Sequence, residues 1–274
     1  MTSLTTAPTT ANDVRSIEPV RHGAYLCFAA PHSARELGPA VRTLAQRLGL
    51  RNEYEPGSDH PREAIAYLRR TEVTPAQIAD EVLARATAVV HVAAPTADPV
   101  EQVVAELGRL LGPEAAPRVL GGVVRPMMYT GGAMHNFAYA HRLLQQPGAD
   151  APHAFLVPMS KTEAWWRKPW MERHTYFLPR YDDTGRMVHE GHALASAAGI
   201  PALMRRTYKH PSPPAPAGAY DFVTYFECAD DAVPVFHEVC AALRDVAKNP
   251  EWAFVREGPT WHGRRVATWE AMFD

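Results

Sequence analysis

The feature that most constrains the fold is the order of apolar patterns in the second half of the chain. Short apolar runs typical of buried strands alternate there with stretches whose apolar residues recur at helical spacing. Strands are predicted at 153–159, 201–209, 220–227 and 252–256, and helices at 189–199 and 231–247. This β-α-β-β-α-β order is the ferredoxin-like unit, which packs its helices on one face of an antiparallel sheet.

The first half of the chain carries a similar but less regular pattern. Strands are predicted at 23–30, 88–94 and 118–125, helices at 34–50, 62–71, 75–87, 98–112 and 134–145, and a loop at 51–61. We interpret this half as a looser copy of the same unit with extra helices. The sequence therefore predicts an α+β fold of tandem ferredoxin-like units, one at 16–150 and one at 151–274.

Composition and charge exclude several classes of protein. The 274 residues are 46% hydrophobic and 21% charged, with a net charge of −2, which is ordinary for a globular enzyme and gives no basic patch for nucleic acid. No apolar run approaches the roughly 18 residues of a membrane span. Three cysteines at 27, 228 and 240 lie in apolar segments, which is typical of reduced core thiols. Residues 1–15 are predicted to be disordered and have no signal-peptide pattern, so a cytoplasmic location is expected.

Two histidines that could bind a metal lie close together in the segment His189-Glu-Gly-His192. A zincin motif requires histidines at positions i and i+4, whereas these two are separated by three positions. A single neutral imidazole is instead enough to ligate haem iron. The alternative is that both are partly solvated histidines at a helix start.

Aromatic and arginine residues nearby are compatible with a cofactor pocket but do not require one. Trp165 and Trp166, with Trp170 close by, form a cluster that is more often core or an oligomer contact. The pair Arg205-Arg206 is usually a solvated feature of a strand, but an arginine aimed into an apolar pocket would hold an anion.

Several segments of the second half resemble the chlorite dismutase family. The resemblance rests on VPMSKTEAWW from Val157 with Pro169, Glu172-Arg173 and Thr175, on RRTYKH at 205–210, on DFVTYFE at 221–227, and on Phe236-His237. It covers roughly 153–250. It implies paired ferredoxin-like units in each subunit (the dimeric α+β barrel superfamily), assembly into a homo-oligomeric ring such as a pentamer, and one haem b in the C-terminal unit.

The resemblance also implies roles for individual residues. The family's axial histidine precedes its distal arginine by thirteen positions, which makes His192 the metal ligand and Arg205 the distal catalytic residue. Lys161 matches a lysine near the haem propionates, and Trp165 and Trp166 match a tryptophan pair that flanks the haem.

Departures from the family pattern leave two points open. Alignment from the tryptophan pair requires a 12-residue insertion around 180–191, so His189 remains a rival iron ligand. The glutamate that supports the axial imidazole maps near Lys248, where Asp245 or Glu251 could substitute. Val157 stands where coproheme decarboxylases carry a tyrosine, and this argues against that branch.

The function implied is that of a haem-dependent oxidoreductase. In the family, chlorite is converted to chloride and O₂ by way of ferryl iron and hypochlorite. A divergent member would have peroxidase-like or biosynthetic activity on a small molecule. The alternatives are a haem-binding or haem-delivery protein without turnover, and a relative that has lost haem.

Overall fold

Eight antiparallel strands close into one barrel at the centre of the protein. The computed structural model describes residues 22–54, 63–124 and 151–274. The described strands are β1 (His22–Phe28), β2 (Arg51–Asn52), β3 (Ala64–Thr74), β4 (Ala88–Ala94), β5 (Arg118–Val124), β6 (His153–Lys161), β7 (Arg180–Tyr181), β8 (Met187–His189), β9 (Met204–Lys209), β10 (Phe222–Cys228), β11 (Val255–Glu257) and β12 (Thr260–Val266). The described α-helices are α1 (Gly38–Arg47), α2 (Glu81–Arg85), α3 (Ala97–Leu111), α4 (Glu163–Arg167), α5 (Trp170–Thr175), α6 (Gly191–Ala195) and α7 (Val233–Arg244).

The two halves of the chain contribute four barrel strands each in the same order. The sheet runs β10-β9-β5-β1-β4-β3-β12-β6, and pairing of β6 with β10 closes it. Within the first half the order is β5-β1-β4-β3, and within the second it is β12-β6-β10-β9. Each is the sheet of a ferredoxin-like unit, so the predicted α+β fold with antiparallel strands is confirmed. The halves join where β5 pairs with β9 and where β3 pairs with β12.

The segment predicted as a helix over 62–71 is strand β3, and that prediction was wrong. Residues 64–68 are all buried, because the barrel interior covers one face and outer elements cover the other. A strand buried on both faces loses the alternating pattern and cannot be told from a helix by periodicity. With β3 in place, the first half has the complete β-α-β-β-α-β order.

Three further element predictions differ from the structure. The helix predicted over 75–87 is reduced to α2, which begins after Asp80, whose carboxylate accepts the backbone N–H of Leu83 at 3.0 Å. The helix predicted over 189–199 is divided among the end of β8, α6 and a 3-10 turn at 197–199. Of the strand predicted over 252–256, residues 252–254 lie in a 3-10 turn, Pro250–Phe254, and residues 255–256 lie in the short strand β11. The fourth barrel strand of the unit is β12.

Alternation along the strands separates a barrel interior from an outer face. In β6, Leu156 faces the interior while Phe155 and Val157 pack outward against α7.

The predicted tail at 1–15, the helix at 134–145 and most of the loop at 51–61 lie outside the described residues. None of the helices in the described ranges is long and apolar enough to cross a membrane.

Candidate functional site

The candidate site lies on the outer face of β6, β9 and β10, beneath α4 to α7. Thr207 on β9 is paired with Thr224 on β10, and Thr224 is paired with Val157 on β6. The hydroxyls of Thr207 and Thr224 are 3.2 Å apart, which confirms that both side chains lie on this outer face. The sheet therefore presents one continuous surface to the short helices that carry the predicted site residues.

His192 enters the site from α6, and its ring is held by a carboxylate. Its Nδ1 lies 2.7 Å from Oε2 of Glu251, and the side chains are 18% and 4% exposed. The neighbouring Ala193 and Ala195 are buried, and they hold the helix against α7. The imidazole of His192 points toward Glu251. A histidine whose Nδ1–H donates to a carboxylate keeps the lone pair of Nε2 for a ligand.

Lys161 supplies the positive charge that keeps Glu251 ionised. Its ammonium donates to Oε1 of Glu251 and is 5% exposed. Burial raises the pKa of Glu251, but the charge of Lys161 and then that of His192 outweigh this effect and hold the pKa well below the usual carboxyl range. The result is a group of three, Lys161–Glu251–His192, in which the buried Glu251 carboxylate accepts from both neighbours.

The 3-10 turn Pro250–Phe254 brings Glu251 into this position, which resolves the open question of the supporting acid. Asp245 is used elsewhere, because its carboxylate accepts the backbone N–H of Ala247 at 3.0 Å. Lys248 contributes its carbonyl, which accepts from the backbone of Glu190 at 2.9 Å. Of the two candidates named from the sequence, Glu251 is therefore the one that contacts His192.

Trp165 and Trp166 occupy different environments beside this group. Trp165 is fully buried, and the Lys161 ammonium lies 4.4 Å from the centre of its ring. The indole N–H of Trp165 has no hydrogen-bond partner among the described residues, although a buried indole usually finds one. Trp166 is partly exposed and stacks on Phe222 at 6.2 Å between ring centres. Trp170 is 60% exposed and lies outside the core.

Asp221 is a site residue whose role the sequence did not reveal. Its Oδ2 accepts the backbone N–H of Lys161 at 2.7 Å and the indole N–H of Trp166 at 3.2 Å. Its Oδ1 accepts the backbone N–H of Ala215 at 2.6 Å. One sequence feature could have identified Asp221, namely an acidic residue immediately before an apolar strand. A carboxylate buried at such a position must accept hydrogen bonds from several donors.

Arg205 and Arg206 point to opposite sides of the sheet. Arg205 is paired with Phe226, so it shares the outer face with the candidate site and is partly exposed. Arg206 faces the barrel interior and forms an ion pair with Glu53 at 3.1 Å. The structure thus brings Arg205 to the site surface and removes Arg206 from it.

His189 does not share a helix face with His192, because it ends strand β8. Its Nδ1 lies 3.0 Å from the carbonyl oxygen of Ala247. The inserted segment forms the exposed β7–β8 hairpin, so the two histidines lie on different elements. Of these two histidines, His192 is the one with a carboxylate on Nδ1, which favours it over His189 as a ligand.

The donor set fits a cofactor that brings its own in-plane ligands. No group of three or more histidine, cysteine or acidic side chains able to hold a bare metal ion occurs in the described ranges. A single imidazole is enough to hold haem iron, and a buried carboxylate behind it fixes the orientation of the ring. The unpartnered indole N–H of Trp165 also suits a pocket that receives a polar group.

Comparison with solved structures gives three informative neighbours. A chlorite dismutase from Candidatus Nitrospira defluvii in complex with imidazole has a TM-score of 0.65 and 18% identity, covering 92% of this chain and 93% of that chain. A mutant of that enzyme in complex with cyanide has a TM-score of 0.64 and 17% identity, covering 92% of each chain. A dimeric chlorite dismutase from Nitrobacter winogradskyi has a TM-score of 0.50 and 22% identity, covering 73% of this chain and 99% of that chain.

Sequence comparison adds no closer relative, since no protein-family model and no curated protein matches the chain. The structural likeness nevertheless extends over both halves of the protein and includes the closed barrel. The chain therefore has the chlorite dismutase fold, as the resemblance of its motifs implied.

Proposed function

We propose that this protein is a haem b-dependent oxidoreductase that acts on a small oxyanion or peroxide. The observation that carries the proposal is the Lys161–Glu251–His192 group, which orients one imidazole and keeps its buried supporting carboxylate ionised. A charged carboxylate on a ligand histidine increases the basicity of the ring and fixes its orientation.

Each of the site residues has a role in this proposal. His192 would hold the iron through Nε2, and Trp165 and Trp166 would flank the cofactor. When bound, haem would supply the iron that exchanges electrons with the substrate. The Lys161 ammonium contacts Glu251, so in this proposal Lys161 would support the carboxylate that orients His192.

Arg205 would bind the substrate anion on the outer face of β9. A guanidinium stays protonated at all relevant pH values and offers several donors in a plane, which suits an oxyanion such as chlorite. It would hold the anion and the products in place while the bonds to oxygen change. Chlorite is the first substrate to test, and hydrogen peroxide is the second.

Assembly into a homo-oligomer also belongs to the proposal. A dimeric relative of the same fold supports it, and so does the exposure of Trp170 and Met171 on α5. Mass measurement by light scattering on the purified protein tests the number of subunits, including a pentameric ring. The cytoplasmic location remains a prediction from the sequence.

The decisive experiment is haem titration followed by absorption spectroscopy. The wild type, His192→Ala and His189→Ala are compared, with free imidazole added to the His192→Ala protein as a rescue. We expect a ferric haem spectrum that is lost in His192→Ala, restored by imidazole and retained in His189→Ala.

Other outcomes decide between the alternatives. Loss of the haem spectrum in His189→Ala alone would identify His189 as the iron ligand. Haem binding without turnover of chlorite or peroxide would support a haem-binding or haem-delivery protein. Absence of haem uptake by the wild type would refute the proposal.

A further inference from the structure

The barrel interior contains a hydrogen-bonded chain that the proposed reaction does not use. The hydroxyl of Tyr208 lies 2.8 Å from Nε2 of His91, and Nδ1 of His91 lies 3.1 Å from Oε2 of Glu53. His91, Glu53 and Tyr208 are each about 1% exposed. A phenol, an imidazole and a carboxylate are thus connected in series away from solvent.

The charges around this chain favour one direction for its hydrogen bonds. Burial raises the pKa of Glu53, but Arg206 and then His91 lower it more strongly, so the pKa is held well below the usual range. Because Nδ1 of His91 lies against this carboxylate, a neutral His91 ring would keep its proton on Nδ1 and offer the lone pair of Nε2. In that tautomer Tyr208 donates its hydroxyl proton to Nε2, and the phenol has a base in direct contact.

We propose that Tyr208 and His91 form a redox pair in which the tyrosine loses an electron and a proton together. One electron passes from Tyr208 to the oxidant, and the hydroxyl proton passes to Nε2 of His91. The products are a neutral phenoxyl radical, an imidazolium paired with Glu53, and an oxidant reduced by one electron. The oxidant would be haem treated with hydrogen peroxide, so this inference rests on the proposed function.

Burial makes transfer of the proton essential to this step. A tyrosine that lost only its electron would become a cation in a site with little water, and the desolvation cost of that charge is large. Transfer to His91 instead places the positive charge beside Glu53. Arg206 lies 3.3 Å from Nε2 of His91 and opposes the imidazolium, whereas Glu53 contacts both cations and offsets this repulsion.

Two other tyrosines share the interior, but neither hydroxyl contacts an imidazole among the described residues. The ring of Tyr25 stacks on His91 at 4.6 Å, and its hydroxyl has no partner among the described residues. Tyr225 donates to Glu227 at 2.6 Å. Burial raises the pKa of Glu227 to about 7, but this carboxylate also pairs with the buried Arg265 at 2.9 Å, so its protonation would weaken an existing buried ion pair.

The position of Tyr208 connects the pair to the candidate site through one strand. Tyr208 follows Thr207, whose side chain lies on the outer face with that of Arg205. Successive side chains of a strand point to opposite faces, so only the thickness of the sheet separates the two environments. An oxidant on the outer face of β9 would therefore have a buried electron donor, Tyr208, on the opposite face of the same strand.

The proposal predicts a specific radical in the haem-loaded protein. Samples are frozen shortly after addition of hydrogen peroxide and measured by high-field electron paramagnetic resonance. We expect a tyrosyl radical with one strongly coupled exchangeable proton, which exchanges in D₂O. The signal should be lost in Tyr208→Phe and retained in Tyr25→Phe, a matched change of a hydroxyl in the same stack. Its persistence in Tyr208→Phe, or a radical without that proton, would overturn the proposal.

A second measurement does not depend on haem or on any variant. Nitrogen-15 chemical shifts of the imidazoles in the haem-free wild type report the tautomer of His91. A proton on Nδ1 and an acceptor at Nε2 are expected, and a proton on Nε2 would refute the redox pair. Failure of haem uptake with the expected tautomer would instead refute the proposed function and remove the oxidant that the redox pair requires.

Discussion

At the scale of single residues, Glu251 determines what the site can do. It accepts from His192 on one oxygen and from Lys161 on the other. In the proposed function, the choice of His192 as the iron ligand and the charge of its supporting group therefore depend on one side chain. The sequence indicated it only as one of two candidates, because a residue in a 3-10 turn gives no periodic signal.

Replacing this carboxylate tests the buried charge. Glu251→Gln removes one partner of a buried ion pair, so the free energy of unfolding should fall by about 3 kcal/mol near neutral pH. Because folding lowers the pKa of Glu251, its contribution is complete above the ordinary carboxyl pKa and decreases as the pH falls toward the lowered value. Urea unfolding of wild type and variant over a range of pH measures this difference.

The expected pattern is a difference that shrinks on acidification. Glu163→Gln is the matched control, because Glu163 pairs with Arg167 on the surface, where both side chains are more than 70% exposed, and should change stability little. A difference between wild type and Glu251→Gln that stays constant with pH would contradict the assignment.

Arg205 offers a second test at the residue scale. Arg205→Ala should lower turnover of chlorite by about 10²–10³-fold, the usual effect of removing one group that stabilises developing charge. The haem spectrum should not change, since Arg205 lies on β9 and His192 lies on α6. Steady-state kinetics and absorption spectra measure the two effects, with Arg186→Ala in the exposed hairpin turn as the control. Unchanged turnover would refute the distal role.

At the scale of elements, the start of α6 decides where His192 lies. The helix is only five residues long and begins at Gly191, which has a φ of +67°. A Cβ atom at this position would lie 2.5 Å from the carbonyl oxygen of Leu178. Glycine is therefore required for two reasons, backbone conformation and the close approach of another segment.

Substitution of this glycine should displace the ligand helix. Gly191→Ala is expected to lower the free energy of unfolding by about 2 kcal/mol and to weaken haem binding, because α6 must move to relieve the contact. Gly185→Ala is the control, since Gly185 has a φ of +80° with nothing within 4 Å of the added atom. Thermal unfolding and haem titration compare the two. Equal effects on haem binding would show that the contact with Leu178 is unimportant.

At the scale of the whole molecule, closure of the barrel makes the halves interdependent. Strand β9 pairs with β5 and strand β12 pairs with β3, so each half covers the sheet edges of the other. The ion pair between Arg206 and Glu53 also joins residues from the two halves inside the barrel. The boundary near residue 150 therefore separates two copies of the sequence pattern. That it is also a domain boundary stays a prediction.

Separation of the halves tests this interdependence. Residues 151–274 alone would expose the edges of β9 and β12 together with the buried rings of Tyr208 and Trp261, so this fragment should not fold. The full chain should unfold in a single transition. Near-ultraviolet circular dichroism of the fragment, alone and mixed with the first half, provides the measurement. A well-ordered isolated fragment would contradict the prediction.

The sequence by itself determined the class of the fold, most of the strands and the residues that resemble a haem site. These features follow from local patterns, because apolar–polar alternation, helical spacing and short motifs involve only residues that are close in the sequence. The sequence missed β3, where both faces are buried and the pattern disappears.

Only the tertiary structure decided which residues meet. Glu251 joined to His192, Asp221 joined to Trp166, and Arg205 and Arg206 on opposite faces all depend on distant segments. The physical reason is that burial and charge pairing are properties of the assembled barrel. A single polar residue in the sequence does not reveal whether its partner will be water, a surface ion or a buried charge.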